Sequence, residues 1–165
     1  MQIQFKVGDK AVYAAHGVGE VTGIEKRDVA GSKRVFYVLK ILDSGMKVLI
    51  PTETAKSAGL REVITKREAA RVMEVLESSE VAVESQPWNR RQREYMDMLK
   101  SGSPIQVAKV LRDLYRLKTA KDLSFGERRL LDTARSLLIK ELALARRVKE
   151  TVIEGEISAI FNLAA

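Results

Sequence analysis

Cysteine is absent from all 165 residues. Disulfides, thiolate nucleophiles and sulfur-ligated zinc are therefore excluded, and stability has to come from packing, which fits a reducing compartment. There is a single histidine, His16, so no histidine pair can hold a transition metal. A Ser/His/acid triad would have to use that residue, which lies in a loop, and no nucleophile-elbow sequence occurs anywhere. Long apolar runs are missing as well: a stretch such as Val35 to Leu39 is far below the roughly 18 to 20 residues that span a bilayer. Charges at Lys6, Asp9 and Lys10 leave no room for a signal-peptide core. The absences predict a cytoplasmic, non-enzymatic protein with no catalytic, metal-binding or cofactor-binding residues, no small-molecule substrate and no membrane partner.

What is present is a chain 45% hydrophobic and 31% charged, enough to build a core and to divide into two small domains. The formal charge of +7 is unevenly spread, with sixteen Lys/Arg against eleven Asp/Glu after residue 80 and nine against six in the first 60. An anionic partner is expected, and chiefly for the C-terminal part.

From Lys6 to Val63 β-branched and aromatic residues alternate between turn formers, which predicts strands at Lys10 to Ala14, Val18 to Asp28, Lys33 to Leu42, Met46 to Pro51 and Leu60 to Val63. Ala30-Gly31-Ser32 and Asp43-Ser44-Gly45 supply tight connections. Five short strands in this space imply a small SH3/Tudor-like β-barrel, with Gly23 marking a bulge in the second strand. After Thr65 the period becomes about 3.6, predicting an all-α bundle of four to five helices, so the fold class is α+β in two domains. Capping-box spacing recurs at Thr65/Glu68, Ser103/Gln106, Ser124/Glu127 and Thr151/Glu154, and Pro104 suits a first helical position. The longest helix, from about Phe125 to Arg146, places Leu130, Ala134, Leu138 and Leu142 on one stripe. Glu141 is the anomaly on that stripe, read as a carboxylate at its edge paired with a nearby arginine. Residues 80–87, ending in Gln86-Pro87, read as a connector.

His16-Gly17-Val18-Gly19 with Gly23 is not a nucleotide loop, because the third glycine comes one position late and a strand follows where a helix N-terminus is needed. The sharpest signal is Trp88-Asn89-Arg90-Arg91-Gln92-Arg93, the sole tryptophan at a helix start beside three arginines. Arginine donates bidentately to phosphate, and a flat aromatic at the same edge can wedge against a base where a duplex is distorted. On the residues alone, a core tryptophan with a solvated arginine face is the alternative. A second basic set comprises Lys118, Lys121, Arg128 and Arg129 around the start of the long helix, where cations oppose the helix dipole and a phosphate would account for them. In the barrel, alternation sends Phe36 and Val38 to one side and Val35 and Tyr37 to the other. One apolar face fills the core, and the other either docks a partner's strand or covers the barrel's ends and the helical half.

Phe5-Lys6-Val7-Gly8-Asp9, His16-Gly17-Val18-Gly19, Ile50-Pro51, Trp88-Asn89-Arg90-Arg91, Val110-Leu111-Arg112-Asp113-Leu114 and Leu123-Ser124-Phe125-Gly126-Glu127-Arg128 together resemble the CarD/CdnL family of bacterial transcription regulators, in its stand-alone CdnL form. The resemblance implies a Tudor-like domain over 1–62 that binds the β subunit of RNA polymerase, a first helix and connector over 63–87, and a DNA-contacting helical domain over 88–165. It implies that Trp88 wedges at the upstream edge of the transcription bubble while Arg90, Arg91 and Arg93 touch the backbone nearby, without reading base sequence, so that the promoter open complex is stabilised. The polymerase surface it implies comprises Arg27, Arg34, Phe36, Lys47, Leu49 and Pro51. Some relatives carry a basic residue at the position of Leu49. The expected protein is a monomer, associated with the nucleoid through the polymerase. A protein-only adaptor whose helical bundle binds another protein is the alternative function.

Overall fold

The structure is a computed structural model describing residues 4–14, 16–78 and 88–162, with the backbone alone at 88 and 89. The connector expected over 80–87 and the Trp88 side chain lie outside the described residues. The chain divides into two compact units, Met1–Val63 and Ile64–Ala165. Among the described residues no helix is long and apolar enough to cross a membrane.

In the first unit β1 (Lys10–Tyr13), β2 (Gly17–Val29), β3 (Ser32–Ile41), β4 (Lys47–Pro51) and β5 (Leu60–Glu62) form one antiparallel sheet in the order β4-β3-β2-β1-β5. Ala11, Val21, Tyr37, Ile50 and Leu60, one from each strand, belong to a single buried cluster. A flat sheet would hold β4 and β5 roughly 19 Å apart, four spacings of about 4.8 Å. One shared core therefore requires the sheet to curl, which is the expected barrel-like form. Two details enforce the curl. Register between β2 and β3 slips between Val21 and Gly23, the bulge anticipated at this glycine. At Gly19 a Cβ would stand 2.8 Å from Leu39 Cγ and 2.9 Å from the Lys40 carbonyl oxygen, so only glycine lets the strands approach. Tyr37 closes the core from the side: its hydroxyl accepts the N–H groups of Gln4 at 2.7 Å and Phe5 at 3.2 Å, and the Phe5 ring meets it edge-on at 5.7 Å.

The second unit holds α1 (Lys66–Glu77), α2 (Trp88–Lys100), α3 (Pro104–Ala120), α4 (Phe125–Arg146) and α5 (Glu150–Phe161). Thr65, Ser103 and Ser124 cap their helices by accepting the N–H three residues on. Ser124 and Glu127 complete the reciprocal box, since Glu127 Oε1 accepts the Ser124 N–H at 2.8 Å. The cap expected at Thr151 is not formed. α5 starts two residues earlier than that cap would set it, at Glu150 behind Lys149, which makes no side-chain capping bond. Arg147, in the left-handed conformation at φ 56°, ends α4, and the Val148 N–H returns to the Ala143 carbonyl at 3.0 Å. This short turn, rather than a hydroxyl, sets where α5 begins.

α1 packs against α3, α4 and α5, with Ala69, Val72 and Leu76 in the helical core. Its last turn contains no basic residue. Two arginines of α3 supply that charge instead. Arg112, 3% exposed, donates from Nη1 to the Val75 carbonyl at 3.4 Å and from Nε to Asp113 Oδ1 at 3.2 Å, and Arg116 donates to the Ser78 carbonyl. Carbonyl groups at a helix end lack intrahelical donors, and a cation there also complements the dipole. Glu141 departs from the expected place at the stripe's edge, being 4% exposed. It lies within the core, and its Oε2 accepts the Ile64 N–H at 3.0 Å, pinning the first residue of the unit to α4.

Candidate functional site

Strand register gathers the six barrel candidates on one face. Arg27 stands directly opposite Arg34, Phe36 opposite Pro51, Val38 opposite Leu49, and Lys40 opposite Lys47. Directly paired residues point the same way, and alternation along β3 keeps Arg34, Phe36, Val38 and Lys40 on the side away from Tyr37 and Leu39. The result is an apolar centre of Phe36, Pro51, Val38 and Leu49 between a paired arginine end and a paired lysine end. Leu49 is 39% exposed and Phe36 half-buried, while Arg27, Arg34 and Lys47 are exposed. Glu25 shares the face and accepts both Nε and Nη2 of Arg27, at 3.0 and 2.9 Å. The face ends at β4, the last strand in the sheet order. An end strand offers its outer N–H and C=O groups to an incoming chain.

The basic candidates of the helical unit divide by burial. On α2, Arg90 and Arg93 are exposed and Arg91 is half-buried, while Tyr95 and Leu99, four residues apart, belong to the core. Gln92 is exposed. At the α3–α4 turn Lys118, Lys121, Arg128 and Arg129 are all exposed. Arg128 Nε donates to the Leu123 carbonyl at 3.2 Å. Glu127 lies between the two sets. It is 3% exposed, receives the Ser124 bond, and has Lys121 Nζ at 3.7 Å. Burial alone would raise its pKa, but the Ser124 N–H and hydroxyl, with the charges of Lys121 and Arg91, overrule it and hold the carboxyl below the ordinary value. Tyr95 is shifted the other way. Burial and the Asp113 carboxylate push its hydroxyl up, against the opposing charge and hydrogen bond of Arg91.

Phe125, at the first position of α4, has no role assigned by the motifs, yet it is 75% exposed with the Arg129 guanidinium 5.8 Å from its ring centroid. The signal for it in the sequence is its phase: it falls off the stripe that carries Leu130, Ala134 and Leu138. An exposed aromatic beside Arg128 and Arg129 gives this end of the unit a flat apolar element among cations.

Residues 5–64 match the family model for the CarD-like/TRCF RID domain, and residues 71–158 match that for the CarD C-terminal domain. YdeB of Bacillus subtilis (strain 168), provisionally described as a transcription factor, is 33% identical over 151 residues, covering 92% of this chain and 98% of that protein. CdnLNt from Myxococcus xanthus, a solved structure, is 58% identical over 39% of this chain and 90% of its own, with a TM-score of 0.32.

Proposed function

Because this chain belongs to the CarD/CdnL family of transcription regulators, matched in both of its domains, we propose that it works at the promoter with its two units on different partners. The β unit docks on the β subunit of bacterial RNA polymerase through the face of β2, β3 and β4. Its apolar centre is desolvated on docking, its cationic ends set orientation and encounter rate, and the outer edge of β4 accepts a strand. The helical unit then meets promoter DNA at the upstream edge of the bubble. Trp88 wedges at the junction, Arg90 and Arg93 reach the adjacent phosphates, and Phe125 with Lys118, Lys121, Arg128 and Arg129 extends the same cationic surface. Nothing in this surface reads base edges, so the effect is on the lifetime of melted DNA rather than on the choice of sequence. The complex is held by the polymerase, and isolated affinity for DNA is weak. No bond is made or broken by the protein itself.

The observation that carries this reading is the register of β2, β3 and β4, which collects six residues from three strands into one apolar face with cationic ends. Capture of the isolated polymerase β subunit by the immobilised chain tests it. The wild-type chain retains the subunit, and Phe36→Ala and Leu49→Ala lose most of it. A wild-type chain that retains none overturns the docking assignment.

A further inference from the structure

Of the five helices among the described residues, α5 alone carries no Lys or Arg, yet it holds Glu150, Glu154 and Glu156. All three reach back to cations of α4, Glu156 to Arg146 at 2.7 Å. α1 ends on acids as well. Its last turn carries Glu74 and Glu77 and no basic residue, so both carboxylates stand at the negative end of the helix dipole. Among the described residues Glu77 has no hydrogen-bond or ion-pair partner. Arg112 and Arg116 donate to carbonyl groups at this helix end, not to that carboxylate. An acid so placed costs the helix stability, and no contact among the described residues offsets it.

The two helices leave a groove of about 480 Å³ between them, lined by Met73 and Glu77 of α1 and by Glu156, Ala159 and Ile160 of α5. Met73 and Ile160 are half-buried against the helical core, and Ala159 is exposed. Val152, 44% exposed, lies one turn before Glu156 on the same line of α5. At Gly155 a Cβ would meet nothing within 4 Å. The floor is apolar and accommodating, since methionine adapts to different shapes and small residues admit a close approach. Each wall contributes one carboxylate.

We infer that this groove binds a basic amphipathic helix of a partner protein, whose apolar side chains cover Met73 and Ile160 while an arginine meets Glu77 and Glu156. The two carboxylates repel phosphate, so the occupant is protein and not nucleic acid. Arginine suits the place because its aliphatic stem lies on apolar surface and its fork serves carboxylates bidentately. A helix suits it because a groove between two helices takes a third by interdigitation of side chains. The groove shares no residue with the polymerase and DNA surfaces proposed above and does not depend on them.

The test titrates the intact, isotope-labelled chain with a helical peptide of about 18 residues that carries leucine and arginine on one stripe, and with a second peptide in which glutamate replaces each arginine. The arginine peptide shifts the amide resonances of Met73, Glu77, Ala159 and Ile160, and the glutamate peptide shifts none of them. Glu77→Lys weakens the arginine peptide about ten-fold and raises the thermal midpoint of the helical unit, because a cation suits that end of α1. A residue serving the fold alone would not lose binding while gaining stability. Ala159→Arg, at an exposed position, fills the groove and abolishes binding with helix content unchanged by far-UV circular dichroism. The inference is overturned by an absence of shifts, by equal shifts with both peptides, by shifts outside α1 and α5, or by a Glu77→Lys chain that binds as wild type or melts below it. It is also overturned if the chain alone dimerises in sedimentation equilibrium and Ala159→Arg makes it monomeric, since the groove then belongs to a second copy.

Discussion

In the β unit the proposed docking face is arranged by backbone register over an apolar core, whereas in the helical unit the basic surface lies beside buried charge. Thr52 is the one buried polar side chain of the first unit among the described residues, and Arg112, Glu127 and Glu141 are those of the second. A sheet satisfies its backbone through its ladders and fixes side-chain direction by alternation, so a working face needs no polar support beneath it. Helices leave N–H and C=O groups open at every end, and the five helices among the described residues present ten such ends. The helical unit closes several of them with side chains from other helices: Glu141 on Ile64, and Arg112 and Arg116 at the end of α1. The same logic separates two carboxylates whose pKa values are both lowered. Glu20 is held down by Lys10 at the barrel surface, where an ion pair contributes little to stability. Glu127 is buried, and its partners matter more.

The contrast is open to breakage in order of size. Glu141→Ala removes a buried side chain and strands the Ile64 N–H, at a cost of about 3 kcal/mol. Denaturant unfolding followed by far-UV circular dichroism, dominated by the helices, measures it. Gly19→Ala is the counterpart in the β unit. Its Cβ meets Leu39 and a backbone oxygen, a clash of about 2 kcal/mol, and near-UV signals of the barrel tyrosines lose cooperativity while the helical transition stays in place. A loss shared equally by both units in either variant contradicts the separation into two cores.

Glu127→Gln comes next, with a cost of about 1 kcal/mol at neutral pH. The folded pKa of Glu127 lies below its ordinary 4.5, so its contribution is complete above that pH and is lost as pH falls through the lower, folded value. Wild-type stability of the helical unit therefore drops in acid, and the glutamine variant loses that part of the slope. Equal slopes in the two proteins contradict the assignment. Arg34→Thr has the smallest effect on stability and the opposite sign. Relief of the directly opposed Arg27–Arg34 pair raises the barrel's stability by about 0.3 kcal/mol, while capture of the polymerase β subunit weakens. A variant both less stable and fully retained by the subunit reverses the reading of that pair.

Local features were legible in the sequence where a local cause produces them. The alternation that buries Tyr37 and Leu39, the bulge at Gly23, and the hydroxyl caps at Thr65, Ser103 and Ser124 each arise within a few residues. Thr151 shows the limit of such a rule: its spacing to Glu154 is right, but the left-handed Arg147 turn had already fixed the start of α5. Glu141, read as an edge residue, has its hydrogen-bond partner 77 residues away, and periodicity carries no information about a partner at that separation. Helical spacing already sets Arg91 apart from Arg90 and Arg93, and burial divides them the same way. The proposed docking face was named residue by residue through resemblance, and register explains why those six positions share a side. The resemblance assigned no role to Phe125, whose exposure follows from its being out of phase with the α4 stripe.

On the proposed reading, one face of the β unit holds the polymerase while the start of α2 holds melted DNA. The lifetime of open promoter complexes formed by the polymerase with the wild-type chain, with Phe36→Ala and with Trp88→Ala tests it most directly. The wild-type chain lengthens the lifetime, Phe36→Ala loses the effect through failure to bind, and Trp88→Ala loses it while still bound. A Trp88→Ala chain that binds the polymerase and lengthens the lifetime as fully as wild type would contradict the account.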